Sequence, residues 1–188
     1  SLHAQTVDQP RAPGKCDGEA PAPALGCRPM PTRYWLFKSE PESFSIDALA
    51  RAPKQTTFWN GVRNYQARNL LRDEIRVGDG VIFYHSNATP SAAVGLAEVV
   101  KAGYPDATQF DPKSDYYDPD SPADDPRWFM VDIKFKEKFV RPLSLDDLRE
   151  VPGLEDMVLL RKGSRLSVQP VTAGEWKAIT ALGRRPAK

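Results

Sequence analysis

Hydrophobic and polar residues alternate along several short stretches of the chain. The clearest alternation covers residues 128–139, where Val131, Ile133 and Phe135 are separated by charged residues. A period of two predicts a long strand with one buried face and one solvated face. Other β-prone stretches predict strands at residues 33–38, 81–86 and 95–104, and a short one directly before Pro170.

Residues able to cap a helix predict short helices between and after these strands. A side-chain oxygen at the N-cap accepts backbone N–H groups that the first helical turn leaves unpaired. In the second predicted helix, Ala67, Leu70 and Leu71 would face the core. The caps are Ser45, Asn64, Ser144 and Thr172, with helices at residues 46–51, about 65–71, 145–149 and from 173 onward.

This order of elements favours one fold class over another. Antiparallel strands with short helices predict an α+β fold, a partly open β-barrel of five to six strands with short helices around it. A doubly wound parallel sheet would need longer crossover helices.

Length and composition predict one folded domain preceded by an arm. Of the 188 residues, 1–31 are rich in Pro, Ala and Gly and show neither period, so we expect a flexible arm there and a domain at 32–188. Cys16 and Cys27 lie in the arm, and a disulfide and free thiols both stay open. The absence of a long apolar run predicts no membrane span. We expect a monomer.

Net charge limits the ways in which the chain could bind nucleic acid. A formal charge of +1 argues against bulk electrostatic binding, so any such binding needs a local patch or a specific pocket. Residues 105–126 hold seven aspartates and one basic residue, Lys113. Their spacing does not match a calcium-binding loop. We expect a solvated acidic loop that repels phosphates, so that nucleic acid approaches from the opposite side.

Residues 57–71 combine large aromatic residues with many polar groups. Trp59 offers a flat apolar face, Gly61 leaves backbone open, and Asn60 and Arg63 can read donor and acceptor edges. This combination indicates a stacking surface for a planar ligand. The alternative is a core tryptophan beside an ordinary turn glycine, since aromatic residues dominate core burial.

Two predicted strands end in polar residues that could line a site. Lys38, Ser39 and Glu40 close the first strand before Pro41, and residues 84–86 close the second. A surface turn with a local ion pair and a structural histidine are the alternatives. No Cys or His partner stands at metal-ligand spacing from His85, so we expect no metal site.

No nucleotide-binding glycine loop or serine nucleophile motif is present in the sequence, which favours a binding module over an enzyme.

Four sequence motifs point to a protein family. The chain resembles the EVE domain family, also called the thymocyte nuclear protein family, over about residues 33–182. The motifs are YWLFKSEP at 34–41, WNGVRNYQAR at 59–68, GD at 78–79 with YHS at 84–86, and RLSVQP at 165–170.

The resemblance implies a PUA-like fold related to the YTH readers of methylated adenine. It also implies non-catalytic binding of a modified nucleobase, either a modified cytosine in DNA or a modified RNA base, by base flipping and without a cofactor. Such a protein would lie in the cytoplasm of a bacterium or the nucleus of a eukaryote. The implied binding residues are Lys38, Ser39, Glu40, Trp59, Asn60, Gly61, Val62, Tyr84, His85, Ser86, Arg161, Arg165 and Ser167.

By that resemblance, Trp59 would form the aromatic wall on which the base stacks. The backbone at Gly61 and Val62 would approach the base closely. Two other functions stay open. An enzyme acting on a modified base or nucleoside could use His85 and Glu40 as an acid–base pair. An RNA-associated protein-interaction module could retain the pocket without using it.

Overall fold

The computed structural model describes residues 31–186, so the predicted arm and its two cysteines lie outside the described residues. The described part is a mixed sheet of six strands in the order β2-β5-β4-β3-β1-β6. Only β1 and β3 pair in parallel; the other neighbours are antiparallel. The strands are β1 (Tyr34–Ser39), β2 (Thr56–Trp59), β3 (Gly80–His85), β4 (Ala92–Pro105), β5 (Phe129–Ser144) and β6 (Val168–Val171). These strands, with short helices between them, confirm the α+β class.

The helices begin at the predicted caps. The Ser45 hydroxyl accepts from Ala48 N at 3.1 Å, and Asn64 Oδ1 accepts from Ala67 N at 3.0 Å. Ser144 and Thr172 each form a capping box. The helices are α1 (Ile46–Arg51), α2 (Tyr65–Asn69), which continues as a π turn over Leu70–Glu74, α3 (Leu145–Arg149) and α4 (Ala173–Gly183). Between residues 31 and 186, none of these is long and apolar enough to cross a membrane.

The sheet curls until distant strands meet. Strands β2 and β1 are separated by three others, which in a flat sheet would place them roughly 19 Å apart at about 4.8 Å per step. Instead the rings of Trp59 on β2 and Phe37 on β1 lie 5.1 Å apart. The two edge strands, β2 and β6, therefore flank an opening in a partly closed barrel.

Two hydrophobic cores lie on opposite faces of this curled sheet. The inner core includes Trp35, Phe37 and Val131, and the outer core includes Leu36 and Ile82. Alternate residues of β1 enter the two cores, so both faces of that strand are buried. The outer core is covered by α3, α4 and the residues between α3 and β6, which include Leu148, Leu154, Met157 and Ile179.

Candidate functional site

A cavity of about 870 Å³ lies at the opening between the two edge strands. This volume falls within the range of about 300–1,000 Å³ typical of small-ligand sites. Its walls come from the end of β1, from β2 and the turn after it, from the residues after β3, from the segment before β6, and from Tyr116 in the β4–β5 loop. The lining residues are Lys38, Ser39, Glu40, Ser43, Phe44, Thr57, Phe58, Trp59, Asn60, Gly61, Val62, Arg63, Ser86, Asn87, Tyr116, Arg165 and Ser167.

The structure brings most of the predicted site residues together around this cavity. Those that line it are Lys38, Ser39, Glu40, Trp59, Asn60, Gly61, Val62, Ser86, Arg165 and Ser167. Their segments are joined by backbone hydrogen bonds: Lys38 N donates to Ser167 O at 2.8 Å, and Ser86 N donates to Ser39 O at 2.9 Å. The motifs that are far apart in sequence therefore meet at one end of the sheet.

Three predicted site residues, Tyr84, His85 and Arg161, do not line the cavity. Tyr84 is buried in the outer core, because the period of two along β3 turns its side chain to the face occupied by Ile82. Arg161 instead donates to Asp156 O at 3.0 Å.

His85 has a structural role at the start of α1. Its Nε2 accepts a hydrogen bond from Ile46 N at 3.1 Å. Burial lowers the pKa of His85, with a smaller lowering from Lys138 and an opposing effect of Asp47. A lowered pKa keeps the imidazole neutral, which this acceptor role requires. Across residues 31–186, no group of three or more His, Cys, Asp or Glu side chains is placed to hold a metal ion.

Two cations of the cavity lack a carboxylate partner within the described residues. The half-buried Lys38 reaches only Ser164 O, at 3.4 Å, and burial lowers the pKa of Lys38. Arg165 is exposed and makes no side-chain hydrogen bond within residues 31–186. Glu40, in contrast, accepts from Asn87 Nδ2 at 2.6 Å. Lys38 and Arg165 are therefore free to meet the acceptor atoms or phosphate of a ligand.

Trp59 belongs both to the hydrophobic core and to the cavity wall. Its ring lies 5.1 Å from Phe37 and 5.5 Å, edge to face, from Phe83. Only 8% of its surface is exposed. The two alternatives raised by the sequence thus apply to the same side chain, and only a small part of the indole can meet a ligand.

Gly61 provides space for a tyrosine ring. Its φ of +75° lies in the left-handed region, and a Cβ placed there would lie 2.5 Å from Tyr116 Cζ. The N–H of Gly61 donates to Asp106 Oδ2 at 2.9 Å. Val62 is packed into the inner core. The open backbone predicted at Gly61 is therefore covered by Tyr116 and bonded to Asp106.

Most residues of the acidic loop are exposed, as predicted, but Tyr116 brings the loop to the cavity, whereas we expected nucleic acid to approach from the opposite side. Asp106, Gln109 and part of Asp118 are buried, and Tyr116 lines the cavity. Trp128 Nε1 donates to Asp118 Oδ2 at 2.6 Å, which ties the end of the loop to its middle. The loop has no hydrophobic period, so the sequence did not identify Tyr116 as a site residue.

Arg63 and Asp106 join this loop to the turn after β2. Arg63 Nη1 donates to Asp106 Oδ2 at 2.9 Å, and its other nitrogens donate to Thr108 Oγ1 and to Tyr116 O. Burial alone would raise the pKa of Asp106, but hydrogen bonds from Thr108, Gly61 and Arg63 outweigh burial and lower it. Arg63 thus holds two loops together and is not free to read a ligand edge.

Known proteins resemble this chain in both sequence and fold. The EVE domain model matches residues 33–182. Thymocyte nuclear protein 1 of Danio rerio is 45% identical over 173 residues, which cover 83% of this chain and 74% of the relative. A crystal structure of a Pseudomonas putida protein has a TM-score of 0.76 at 47% identity and covers 80% of this chain and 99% of that chain.

Two further structures were solved with nucleic acid. Human THYN1 protein in complex with DNA containing 5-methylcytosine has a TM-score of 0.77 at 41% identity, covering 83% of this chain and 100% of that one. The YTH domain of Zygosaccharomyces rouxii MRB1, in complex with N6-methyladenosine RNA, has a TM-score of 0.50 at 16% identity, a likeness of fold alone. From the family model and from relatives this similar along the same segment, it follows that the chain belongs to the EVE domain family.

Proposed function

We propose that this protein binds a modified nucleobase without catalysis, with a modified cytosine in DNA favoured over a modified RNA base. The observation that carries the proposal is the cavity between the edge strands, which combines part of Trp59 with Lys38 and Arg165, two cations without a carboxylate partner among residues 31–186. The human THYN1 protein, 41% identical to this chain, was crystallised with DNA containing 5-methylcytosine. That relative supports cytosine as the favoured base.

The base would leave its stack and enter the cavity. Extrusion costs a few kcal/mol, and stacking on an aromatic side chain, worth about 1–3 kcal/mol per base, offsets it together with edge hydrogen bonds. Asn60 and Ser86 line the cavity and would make those hydrogen bonds, and Ser39 Oγ, which donates to Phe44 O at 2.8 Å, would accept one. Lys38 would meet an acceptor of the base, and Arg165, at the exposed rim, would meet a phosphate.

Binding is favoured over catalysis because the proposed proton carrier is engaged elsewhere. His85 Nε2 accepts from Ile46 N and does not line the cavity, so it cannot form an acid–base pair with Glu40 around a bound base. The flexible arm at 1–31, the domain boundary at 32, the monomeric state, the lack of a cofactor and the cytoplasmic or nuclear location remain predictions.

Fluorescence anisotropy with labelled oligonucleotides tests the proposal. The panel carries a single cytosine, methyl-, hydroxymethyl- or formylcytosine, or methyladenine, each as DNA and as RNA. We expect one modification to bind at least about tenfold tighter than its unmodified control, a difference of about 1.4 kcal/mol. Equal affinity across the panel would overturn the proposal.

A variant that removes the charge of Arg165 tests whether this residue contacts a phosphate of the nucleic acid. Arg165→Gln should weaken binding to all oligonucleotides alike and reduce the slope of log affinity against log salt by about one, as expected for a lost phosphate contact. Arg76→Gln is the matched control, because Arg76 is exposed and does not line the cavity. A salt slope that stays the same in Arg165→Gln would show that Arg165 does not contact phosphate.

A further inference from the structure

Tyr116 is an exposed aromatic residue of the cavity that none of the sequence motifs includes. It is 44% exposed, against 8% for Trp59, so its ring offers far more surface to a ligand. Phe58 also lines the cavity and is exposed, but it alternates with Trp59 along β2, so its side chain points to the face of the strand opposite that of Trp59. Tyr116 is the exposed ring that the β4–β5 loop brings to the cavity.

The position of Tyr116 is fixed by contacts with the turn after β2. Its ring lies against Gly61, at the place where any other residue would carry a Cβ. The Arg63 guanidinium lies 5.4 Å from the ring centroid, and Arg63 Nε donates to Tyr116 O at 3.1 Å. Backbone and ring are thus held by the same arginine, and little side-chain freedom is left to lose on binding.

We propose that Tyr116 stacks on the flipped base at the mouth of the cavity and that Arg63 positions it. This inference rests on the proposed function. With one ring face against Gly61, the exposed part of Tyr116 is left for a base. Trp59, packed against Phe37 and Phe83, then forms the floor of the cavity and supplies only part of the aromatic contact.

The chain offers a closely matched control for this proposal. Tyr117 is the next residue in the same loop, is 42% exposed and does not line the cavity. Anisotropy titrations of wild type, Tyr116→Ala, Tyr116→Phe and Tyr117→Ala would use the preferred modified oligonucleotide. We expect Tyr116→Ala to lose about 5- to 150-fold in affinity, the range found for removing one base-stacking aromatic residue. Tyr116→Phe, which keeps the ring, and Tyr117→Ala should each stay within about threefold of wild type.

The role of Arg63 is tested by a double-mutant cycle. Arg63→Lys keeps a positive charge beside Asp106 but loses the planar set of donors that also reaches Tyr116 O. If Arg63 acts through Tyr116, Arg63→Lys weakens binding in the wild-type background and has little further effect in Tyr116→Ala. An equal loss in both backgrounds would refute the positioning role. Thermal melts of each variant confirm that the fold is intact.

The outcomes separate this inference from the proposed function. Should wild type prefer one modification while Tyr116→Ala binds as Tyr117→Ala does, the stacking role of Tyr116 is wrong and the proposed function stands. Should wild type show no preference among the modified oligonucleotides, the proposed function fails and the inference fails with it.

Discussion

The hydrogen bonds of Asp106 make it the residue whose substitution should most disturb the cavity loops. Its side chain is fully buried. Oδ2 accepts from Gly61 N and Arg63 Nη1, both at 2.9 Å, and Oδ1 accepts from Thr108 N at 2.9 Å and Thr108 Oγ1 at 2.6 Å. In Asp106→Asn an amide NH₂ replaces one of these oxygens, so two donors lose their acceptor and face another donor.

The size of the effect follows from those bonds. A hydrogen bond to a charged group contributes about 1.5–3 kcal/mol, so losing two costs about 3–6 kcal/mol. Arg63 retains 23% side-chain exposure, so water can partly solvate it in the variant. We therefore expect a loss of about 3–5 kcal/mol in the free energy of unfolding, similar to breaking a buried ion pair.

Urea denaturation of wild type and variant measures this loss. With a slope of about 2 kcal/mol per M, the unfolding midpoint of Asp106→Asn should fall by about 1.5–2.5 M. Asp115→Asn is the matched control, because Asp115 is an exposed aspartate of the same loop, and it should stay within about 0.5 kcal/mol of wild type. A midpoint shift below about 0.3 M in Asp106→Asn would refute the role of Asp106 as a buried link between the two loops.

The difference in unfolding free energy between wild type and Asp106→Asn should depend on pH in one direction. The pKa of Asp106 is lower in the folded protein than its ordinary value of 3.8. The stability contributed by its carboxylate is therefore fully present above the unfolded pKa and is lost as pH falls through the folded pKa. The gap between wild type and Asp106→Asn should narrow in acid and stay constant from about pH 5 to pH 7.

Two further predictions concern the core and α1. Trp59→Ala should cost about 3–5 kcal/mol in urea unfolding, because it empties the space between Phe37 and Phe83, and a cost below about 1 kcal/mol would contradict the core role of Trp59. Because burial lowers the pKa of His85, stability should be full above the ordinary value of 6.5 and decline as pH falls below it. In His85→Gln the amide oxygen can still accept from Ile46 N, but the side chain no longer titrates. The melting temperature of this variant should therefore fall less than that of wild type as pH drops below 6.5. If the two proteins show the same dependence of melting temperature on pH, His85 does not cause the loss of stability in acid.

The sequence predicted the features that depend on neighbouring residues. Asn64 caps α2 through a bond to Ala67, three residues away, and Thr172 and Glu175 cap α4 in the same way. The period of two along β5 arises because one face of the strand is buried and the other is solvated. Most predicted strands and helices therefore lie within a few residues of the observed ones. The family resemblance was likewise carried by short contiguous motifs.

The tertiary structure alone decided which side chains meet at the cavity. Strand β2 was not predicted, because its four residues become a strand only by pairing with β5. Tyr116 and Asp106 reach the turn after β2 through contacts such as Gly61 N to Asp106, which spans 45 positions. The surroundings of the Tyr84 and His85 side chains, on the two faces of β3, depend on how the sheet curls and where α1 packs. Contacts between distant segments leave no local period or cap, so the sequence named many of the cavity's residues and missed the tyrosine at its mouth.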